Sequence, residues 1–201
     1  MTAGGRAVAP ESGLTKGTTV PDRQRVLLIS GSTRDGSTNT AALRTVAQTA
    51  PAGVTAVLYG GLSALPAFNP DHDGADLPPA AAGLRREIAA ADAVMFCTPE
   101  YAGTLPGSFK NLLDWTVGGG ELDRKPVAWI NVANQGRGAG AQATLETVLG
   151  YVGARVVEPA CRRLPVARDW VGATGVITDP GFRAGVSDAV AELAGSVRAA
   201  G

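Results

Sequence analysis

Short apolar-rich runs alternate with amphipathic segments along most of this chain. The runs predict five strands, at 26–29, 54–59, 93–97, 127–132 and 154–157. Apolar residues at helical spacing between and after them predict helices: one from about Asn39, one with Leu84 and Ile88 inside and Arg85 outside, one opening at Pro106, one over 145–152 and one over 186–197. Such alternation is typical of an α/β fold with a mainly parallel sheet and right-handed crossovers.

The number and type of these elements favour one topology. The first run, Val26–Ile29, has no polar interruption, which is expected of a strand covered on both faces. Five strands favour a flavodoxin-like doubly wound sheet of order 2-1-3-4-5, with helices on both faces and strand two at an edge. In that order ligands bind at the carboxyl ends of the strands, where strands one and three diverge. The loops leaving that point are 31–39 and 98–107.

The remaining segments lack clear periodicity. Residues 1–24 are rich in Gly, Thr and Pro and are expected to form a disordered leader before a single domain at 25–201. The linker 60–79 is long for a compact domain, which predicts that it is functional or packed over the site. Residues 158–180 show no period, so no element is predicted there.

The first loop has the chemistry of an anion site. Hydroxyls, one guanidinium and several backbone N–H groups crowd together just before a helix N-terminus, which favours a phosphate. Gly31-x4-Gly36-Ser37-Thr38 has the spacing of the ATP/GTP loop, but Ser37 replaces the required lysine, so a monophosphate fits better than a triphosphate. The alternative is an ordinary Ser/Gly turn whose hydroxyls cap the helix.

A third loop, at 133–141, is dense in glycine. Its G-x-G-x-x-A at 136–141, with Glu158 about twenty residues on, raises the possibility of a dinucleotide fingerprint. The glycines begin four residues beyond the apolar run, so the tight first turn of that fingerprint is missing. The loop also belongs to the fourth unit and not to the first, and both facts count against the fingerprint.

Three motifs together resemble a known family. G-S-T-R-x-G-S-x-N at 31–39, P-E-Y at 99–101 and P-G-x-x-K-N at 106–111 resemble the NADPH-dependent FMN reductase family, whose flavodoxin-like members include azo-, quinone- and chromate-reducing flavoenzymes. The resemblance covers about residues 25 to 160. It implies an FMN cofactor, NADPH or NADH as reductant, and hydride transfer from nicotinamide to flavin N5. Electrons then pass to a small-molecule acceptor: a quinone, an azo compound, a metal oxyanion or free flavin.

The resemblance also implies the residues that hold the cofactor. Those expected at the phosphate are Ser32, Arg34, Ser37, Thr38 and Asn39. Those expected along the ring edge, mainly through backbone N–H groups, are Pro99, Glu100, Tyr101, Ala102 and Gly103. Those expected at the pyrimidine end are Gln135, Gly136, Arg137 and Gly138. No side-chain acid or base is expected, since the cofactor carries the chemistry. The family usually has Asn where this chain has Ala102, and Arg137 could instead meet the NADPH phosphate or stay solvated.

Composition and charge exclude several functional classes of protein. The 201-residue chain has a formal net charge of zero, which gives no electrostatic case for nucleic acid or anionic membrane. Cys97 ends an apolar run and is expected to be a core residue, and the lone His72 has no second histidine for a metal site. No membrane-length apolar run or signal-peptide core is visible, so a cytoplasmic protein is expected. A flavodoxin-type carrier is usually acidic, unlike this chain, and a flavin-binding sensor stays open.

Self-association is a further expectation. Trp115 lies beside the inner stripe of the helix that opens at Pro106, and Val117 and three glycines follow it. In resembling enzymes, subunits pack near the flavin, which implies a homodimer or homotetramer. The alternative is that Trp115 is a residue at the edge of the core.

Overall fold

The computed structural model describes Met1 and residues 23–199 of the chain. The leader predicted at 1–24 therefore lies almost entirely outside the described residues. Its last residue, Gln24, already belongs to the first strand.

The strands form one parallel sheet. They are β1 (Gln24–Ser30), β2 (Val54–Leu58), β3 (Ala93–Cys97), β4 (Pro126–Asn131), β5 (Arg155–Val156) and β6 (Arg162–Arg163). The order β2-β1-β3-β4-β5 confirms the predicted topology. β6 is an addition that pairs in parallel with the carboxyl end of β4, in the register Ile130↔Arg162. Two consecutive arginines carry no strand signal, which is why this element was not predicted.

Five α-helices among residues 23–199 cover the sheet. They are α1 (Thr38–Thr49), α2 (Pro79–Ala89), α3 (Gly107–Asp114), α4 (Ala139–Tyr151) and α5 (Pro180–Arg198). None of the helices in the described part of the chain is long and apolar enough to cross a bilayer.

The central strand β1 joins two hydrophobic cores. Val26 and Leu28 contribute to the cluster that contains α1 and α5, while Leu27 and Ile29 contribute to the cluster that contains α2, α3 and α4. All four side chains are fully buried. The alternation follows from the two-residue period of a strand, and it confirms that helices lie on both faces of the sheet.

The long linker is fastened to α3. Trp115 Nε1 and Asn111 Nδ2 both donate to the Pro66 carbonyl oxygen at 2.9 Å, and Phe68 N donates to Asn111 Oδ1 at 2.7 Å. The Phe68 ring packs edge-on against Trp115, with centroids 4.9 Å apart. Trp115 is fully buried, which favours the alternative that it is a core residue, so it does not support the predicted subunit contact.

Arg85 corrects another prediction. Helical periodicity places it on the outer side of α2, but its side chain is only 13% exposed. It pairs with Asp73 of the linker at 2.5 Å and with Glu121 at 3.8 Å, and its Nε donates to the Trp115 carbonyl at 2.8 Å. The linker and the turn after α3 cover this side of α2, which a periodicity within one helix does not reveal.

Candidate active site

A cleft of about 560 Å³ opens at the carboxyl edge of the sheet. Its volume lies in the range of small-molecule sites. Seven of the residues predicted for the site line it: Arg34, Thr38, Asn39, Pro99, Glu100, Arg137 and Gly138. Seven others do not: Ser32, Ser37, Tyr101, Ala102, Gly103, Gln135 and Gly136. The three predicted loops therefore meet around one cavity, although only half of the predicted residues face it.

The first wall is the start of α1. Ser37 occupies the N-cap position and is 3% exposed, yet its side chain makes no capping hydrogen bond with the described residues. The first helical bond of the loop is Ala41 N to the Ser37 carbonyl at 2.9 Å. The N–H groups of residues 36–40 have no protein acceptor within the described ranges. They are available to an anion, which favours the anion-site reading over a self-capped turn.

Gly31 allows the first and second loops to approach closely. A Cβ at this position would lie 2.3 Å from Thr98 Oγ1 and 2.9 Å from the Phe109 ring, so no other residue fits without displacement. Gly31 N donates to the Cys97 carbonyl at 2.8 Å, which extends the β1–β3 pairing into the loops. The glycine that ends the first apolar run is therefore required by packing as well as by the turn.

The second loop is a tight hairpin supported by α4. Tyr101 N donates to the Thr104 carbonyl at 3.0 Å and Thr104 N donates back at 3.1 Å, while Ala102 and Gly103 have φ of 50° and 77°. The Tyr101 N–H is thus occupied, contrary to the expectation that this group is free for a ligand. Glu100 Oε2 accepts from Ala141 N at 3.1 Å, so this carboxylate caps the N-terminus of α4.

The third loop is held at both ends by side chains that were not predicted. Asn131 Nδ2 donates to the Gly138 carbonyl at 3.1 Å, and Asn131 Oδ1 accepts from Ala133 N at 3.0 Å. Arg163 of β6 donates to the Arg137 carbonyl at 3.0 Å and to Gln142 Oε1 at 2.7 Å. A polar residue at the end of the β4 apolar run is a signal that could have identified Asn131. Nothing comparable marks Arg163.

A fourth segment completes the cleft and was missed entirely. Leu164 N donates to the Asn131 carbonyl at 2.9 Å and Val166 N donates to the Val132 carbonyl at 3.1 Å, so the chain after β6 runs alongside the end of β4. This ladder brings Arg168 to the same edge as the three loops. The lining residues without a sequence prediction are Thr98, Val132, Ala133, Asn134, Val166, Ala167 and Arg168.

The buried thiol behind the cleft is not a nucleophile. Cys97 ends β3, is 1% exposed, and its Sγ donates to Asn39 Oδ1 at 3.4 Å. Burial raises the pKa of the Cys97 thiol well above its usual range, so the thiol is protonated near neutral pH. This confirms the interpretation of Cys97 as a core residue.

Comparison with known proteins agrees with this architecture. The FerB flavoenzyme of Paracoccus denitrificans, an NAD(P)H:(acceptor) oxidoreductase, has a similar structure, with a TM-score of 0.69 and 28% sequence identity over 86% of this chain and 98% of that one. An NAD(P)H-dependent FMN reductase of Pseudomonas aeruginosa is 40% identical over 124 residues, 61% of this chain and 66% of that protein. The match thus spans just under two thirds of that relative.

A second relative and a family model extend the agreement. A quinone reductase of Escherichia coli is 30% identical over 141 residues, which are 68% of this chain and 74% of that protein. The sequence model of the NADPH-dependent FMN reductase family matches residues 24–165, which include β1 to β6 and all three predicted loops. The chain therefore belongs to the NADPH-dependent FMN reductase family.

Proposed function

We propose that this protein is an NAD(P)H-dependent FMN oxidoreductase that passes reducing equivalents to a small-molecule acceptor. The observation that carries the proposal is the convergence of the uncapped N-terminus of α1, Arg34 and two further loops on one 560 Å³ cleft. This cleft lies where β1 and β3 diverge, the position at which doubly wound sheets bind their ligands. Membership of the family supports the same cofactor.

The phosphate of FMN fits the first wall. The free N–H groups of residues 36–40 and the positive end of the α1 dipole attract a dianion, and Arg34 can donate two hydrogen bonds to it. Arg34 is exposed and has no ion-pair partner among the described residues. The remaining residues proposed to contact the phosphate are Ser32, Ser37, Thr38 and Asn39.

The flavin ring fits between the second and third loops. Bound there, FMN would supply the redox chemistry of the reaction, which is hydride uptake from reduced nicotinamide and electron release to an acceptor. Pro99 stiffens one side of the cleft, and the Asn131 and Arg163 hydrogen bonds hold the loop of Arg137 on the other. The further proposed ring contacts, which do not line the cleft, are Ala102, Gly103, Gln135 and Gly136. The Tyr101 N–H is not proposed as one, because it is bonded within the turn.

The proposed acceptor is a quinone, which the names of the E. coli and other relatives support; azo compounds, metal oxyanions and free flavin are further candidates.

The purified protein should be yellow, contain FMN, and oxidise NADPH or NADH with benzoquinone. Direct reduction of the bound flavin by NAD(P)H in a stopped-flow experiment separates an enzyme from a carrier, which needs a separate reductase. No turnover with either nucleotide across several acceptors would contradict the proposal.

We also propose a homodimer or homotetramer in the cytoplasm. Val117 and Tyr101, which follow α3 and β3, are 61% and 54% exposed, and a partner subunit would cover these apolar side chains. Cys97 and Cys161 are both unpaired, which fits a reducing compartment. Multi-angle light scattering tests the assembly, where a monomer at micromolar concentration would contradict it, and cell fractionation tests the compartment.

A further inference from the structure

Two of the three cations of the cleft lie outside the proposed wall that holds the FMN phosphate. Arg34, Arg137 and Arg168 all line the cleft, and all three are exposed. Within residues 23–199 neither Arg137 nor Arg168 has a carboxylate partner. Glu100 is the carboxylate among the lining residues, and one of its oxygens already accepts from Ala141 N. The cleft therefore has an excess of positive charge.

Sheet geometry separates these cations from the phosphate wall. Arg34 follows β1 and Arg137 follows β4, two strands away in the order β1-β3-β4, and β6 lies beyond β4. Neighbouring strands are about 4.8 Å apart, so β4 lies about 10 Å from β1, and β6 lies about 14 Å from it. One phosphate at the start of α1 cannot also occupy the far end of the cleft.

The backbones that carry these two arginines are fixed by hydrogen bonds. Arg163 donates to the Arg137 carbonyl, and Arg137 N donates to the Asn134 carbonyl at 3.0 Å. The ladder from Leu164 to Val166 ends two residues before Arg168. Arg168 also lies beyond residue 165, where the match to the family model stops. Both guanidiniums are thus presented from a fixed edge, one of them by a segment outside the matched region.

We infer that Arg137 and Arg168 form a cationic rim that selects an anionic group on the second substrate to enter the cleft. This inference rests on the proposed function, since it assumes that FMN occupies the wall of α1. Two sources of the anionic group share this chemistry: the phosphates of the nicotinamide dinucleotide, and a sulfonate or carboxylate on the electron acceptor. Guanidinium groups suit both because they donate two parallel hydrogen bonds to phosphate, sulfonate or carboxylate oxygens.

The test compares Arg137→Ala, Arg168→Ala and the double variant with Arg86→Ala. Arg86 is an exposed arginine of α2 that lines a different pocket, which shares no residue with the cleft, so its removal controls for the loss of one charge. Calorimetry on the FMN-loaded proteins measures the dissociation constants of NADP⁺ and NAD⁺. Steady-state kinetics measures KM for unsubstituted benzoquinone and for a sulfonated anthraquinone.

Each rim substitution should weaken the anionic ligand by about three- to tenfold, and the effect should shrink at high salt because the site is exposed. Arg168→Lys should retain part of the selectivity. Weaker binding of both dinucleotides would identify their shared pyrophosphate as the group that the rim contacts, and weaker binding of NADP⁺ alone would identify its 2′-phosphate. A raised KM for the sulfonated quinone alone would identify the anionic group of the acceptor.

Other results would overturn the inference. If the rim variants behave like Arg86→Ala for every ligand while the wild-type protein turns over, the rim has no selective role and the proposed function stands. If the wild-type protein binds FMN but neither dinucleotide nor either quinone, both proposals fail together. An equal rise in KM for the neutral and the sulfonated quinone would indicate that the flavin ring site is disturbed, and would contradict selection by charge.

Discussion

Arg34 is the cation of the first loop that faces the cleft, and its neighbour Asp35 would repel a phosphate. A charge-assisted hydrogen bond contributes about 1.5–3 kcal/mol, so Arg34→Ala should weaken FMN binding roughly ten- to 150-fold. Quenching of flavin fluorescence measures this. Arg34→Lys should recover only part of the affinity, because an ammonium group cannot make the two-pronged contact.

Riboflavin is the internal control for this substitution because it has no phosphate. Its affinity should change much less than that of FMN in Arg34→Ala. Equal losses for both flavins would mean that the ring site or the fold was disturbed. An unchanged FMN affinity in a folded variant would mean that the guanidinium points to solvent.

Ala102 has a left-handed backbone with φ of 50°, at the first central position of the Tyr101–Thr104 turn. Asn and Gly adopt this conformation more readily, and Asn-Gly is the preferred pair in such hairpins. The Asn that resembling proteins have here is thus explained by the turn without any ligand contact. Ala102→Gly and Ala102→Asn should each raise the free energy of unfolding by about 1 kcal/mol.

Chemical denaturation of the apoprotein measures the effect of these substitutions. Gly103→Ala is the matched control, because Gly103 has φ of 77° and a side chain there should destabilise the turn. Stability that is unchanged or lowered in both Ala102 variants would contradict the strain assigned to this position.

The two cysteines should resist thiol reagents in the native protein. Burial raises the pKa of Cys161 to about 11 and raises that of the more deeply buried Cys97 as well. A raised pKa means less thiolate at pH 8 than in an exposed cysteine, and only the thiolate reacts. Labelling at pH 8 should therefore be slow and should accelerate as the pH rises towards 11, whereas the unfolded chain labels rapidly. Rapid labelling of the native protein would contradict this.

At the scale of elements, the linker between β2 and α2 packs on α3 and contributes no residue to the cleft lining. Asn111 makes two of its anchoring hydrogen bonds, and breaking both should cost about 1–3 kcal/mol. Asn111→Ala should lower stability and speed hydrogen exchange at the Phe68 amide, with FMN affinity unchanged. Lys110→Ala on the same helix is the control, since its exposed pair with Asp114 contributes little.

A loss of FMN affinity in Asn111→Ala would show that the linker supports the flavin site. That result would support the prediction that the linker is functional or packed over the site, as does the pocket that Gly60, Leu62 and Ser63 line together with Ser32 and Arg34.

Elements with a strong local signal were predictable, and those held by distant contacts were not. β3 was predicted with its observed bounds because five consecutive apolar residues are buried there. β6 depends on backbone pairing with β4, and its two arginines give no pattern. Arg85 was misplaced for the same reason, because the partners that bury it, Asp73 and Glu121, come from other segments.

At the scale of the whole molecule, topology located the site better than motifs identified its contacts. The switch point between β1 and β3 follows from the strand order alone, and the cleft opens there. Arg168, at the far end of the cleft, was not predicted. It reaches the cleft through backbone hydrogen bonds beside β4, and no hydrophobic periodicity in the sequence indicates this pairing. The prediction that the Tyr101 N–H is free for a ligand was wrong, because this group donates to the Thr104 carbonyl within the turn.

The central position of β1 has a consequence for how the chain folds. Its partner β3 lies 67 residues away in sequence, since Val26 pairs with Ala93, and the last cleft residue is Arg168. Contacts between residues this distant in sequence form late, because the entropy cost of closing a long loop comes before the free energy gained from the contact. A ribosome must therefore release most of the polypeptide before the cavity exists. A partly synthesised chain that lacks Arg168 therefore lacks part of the cavity wall, and the complete cofactor site that we propose forms only once this residue is available.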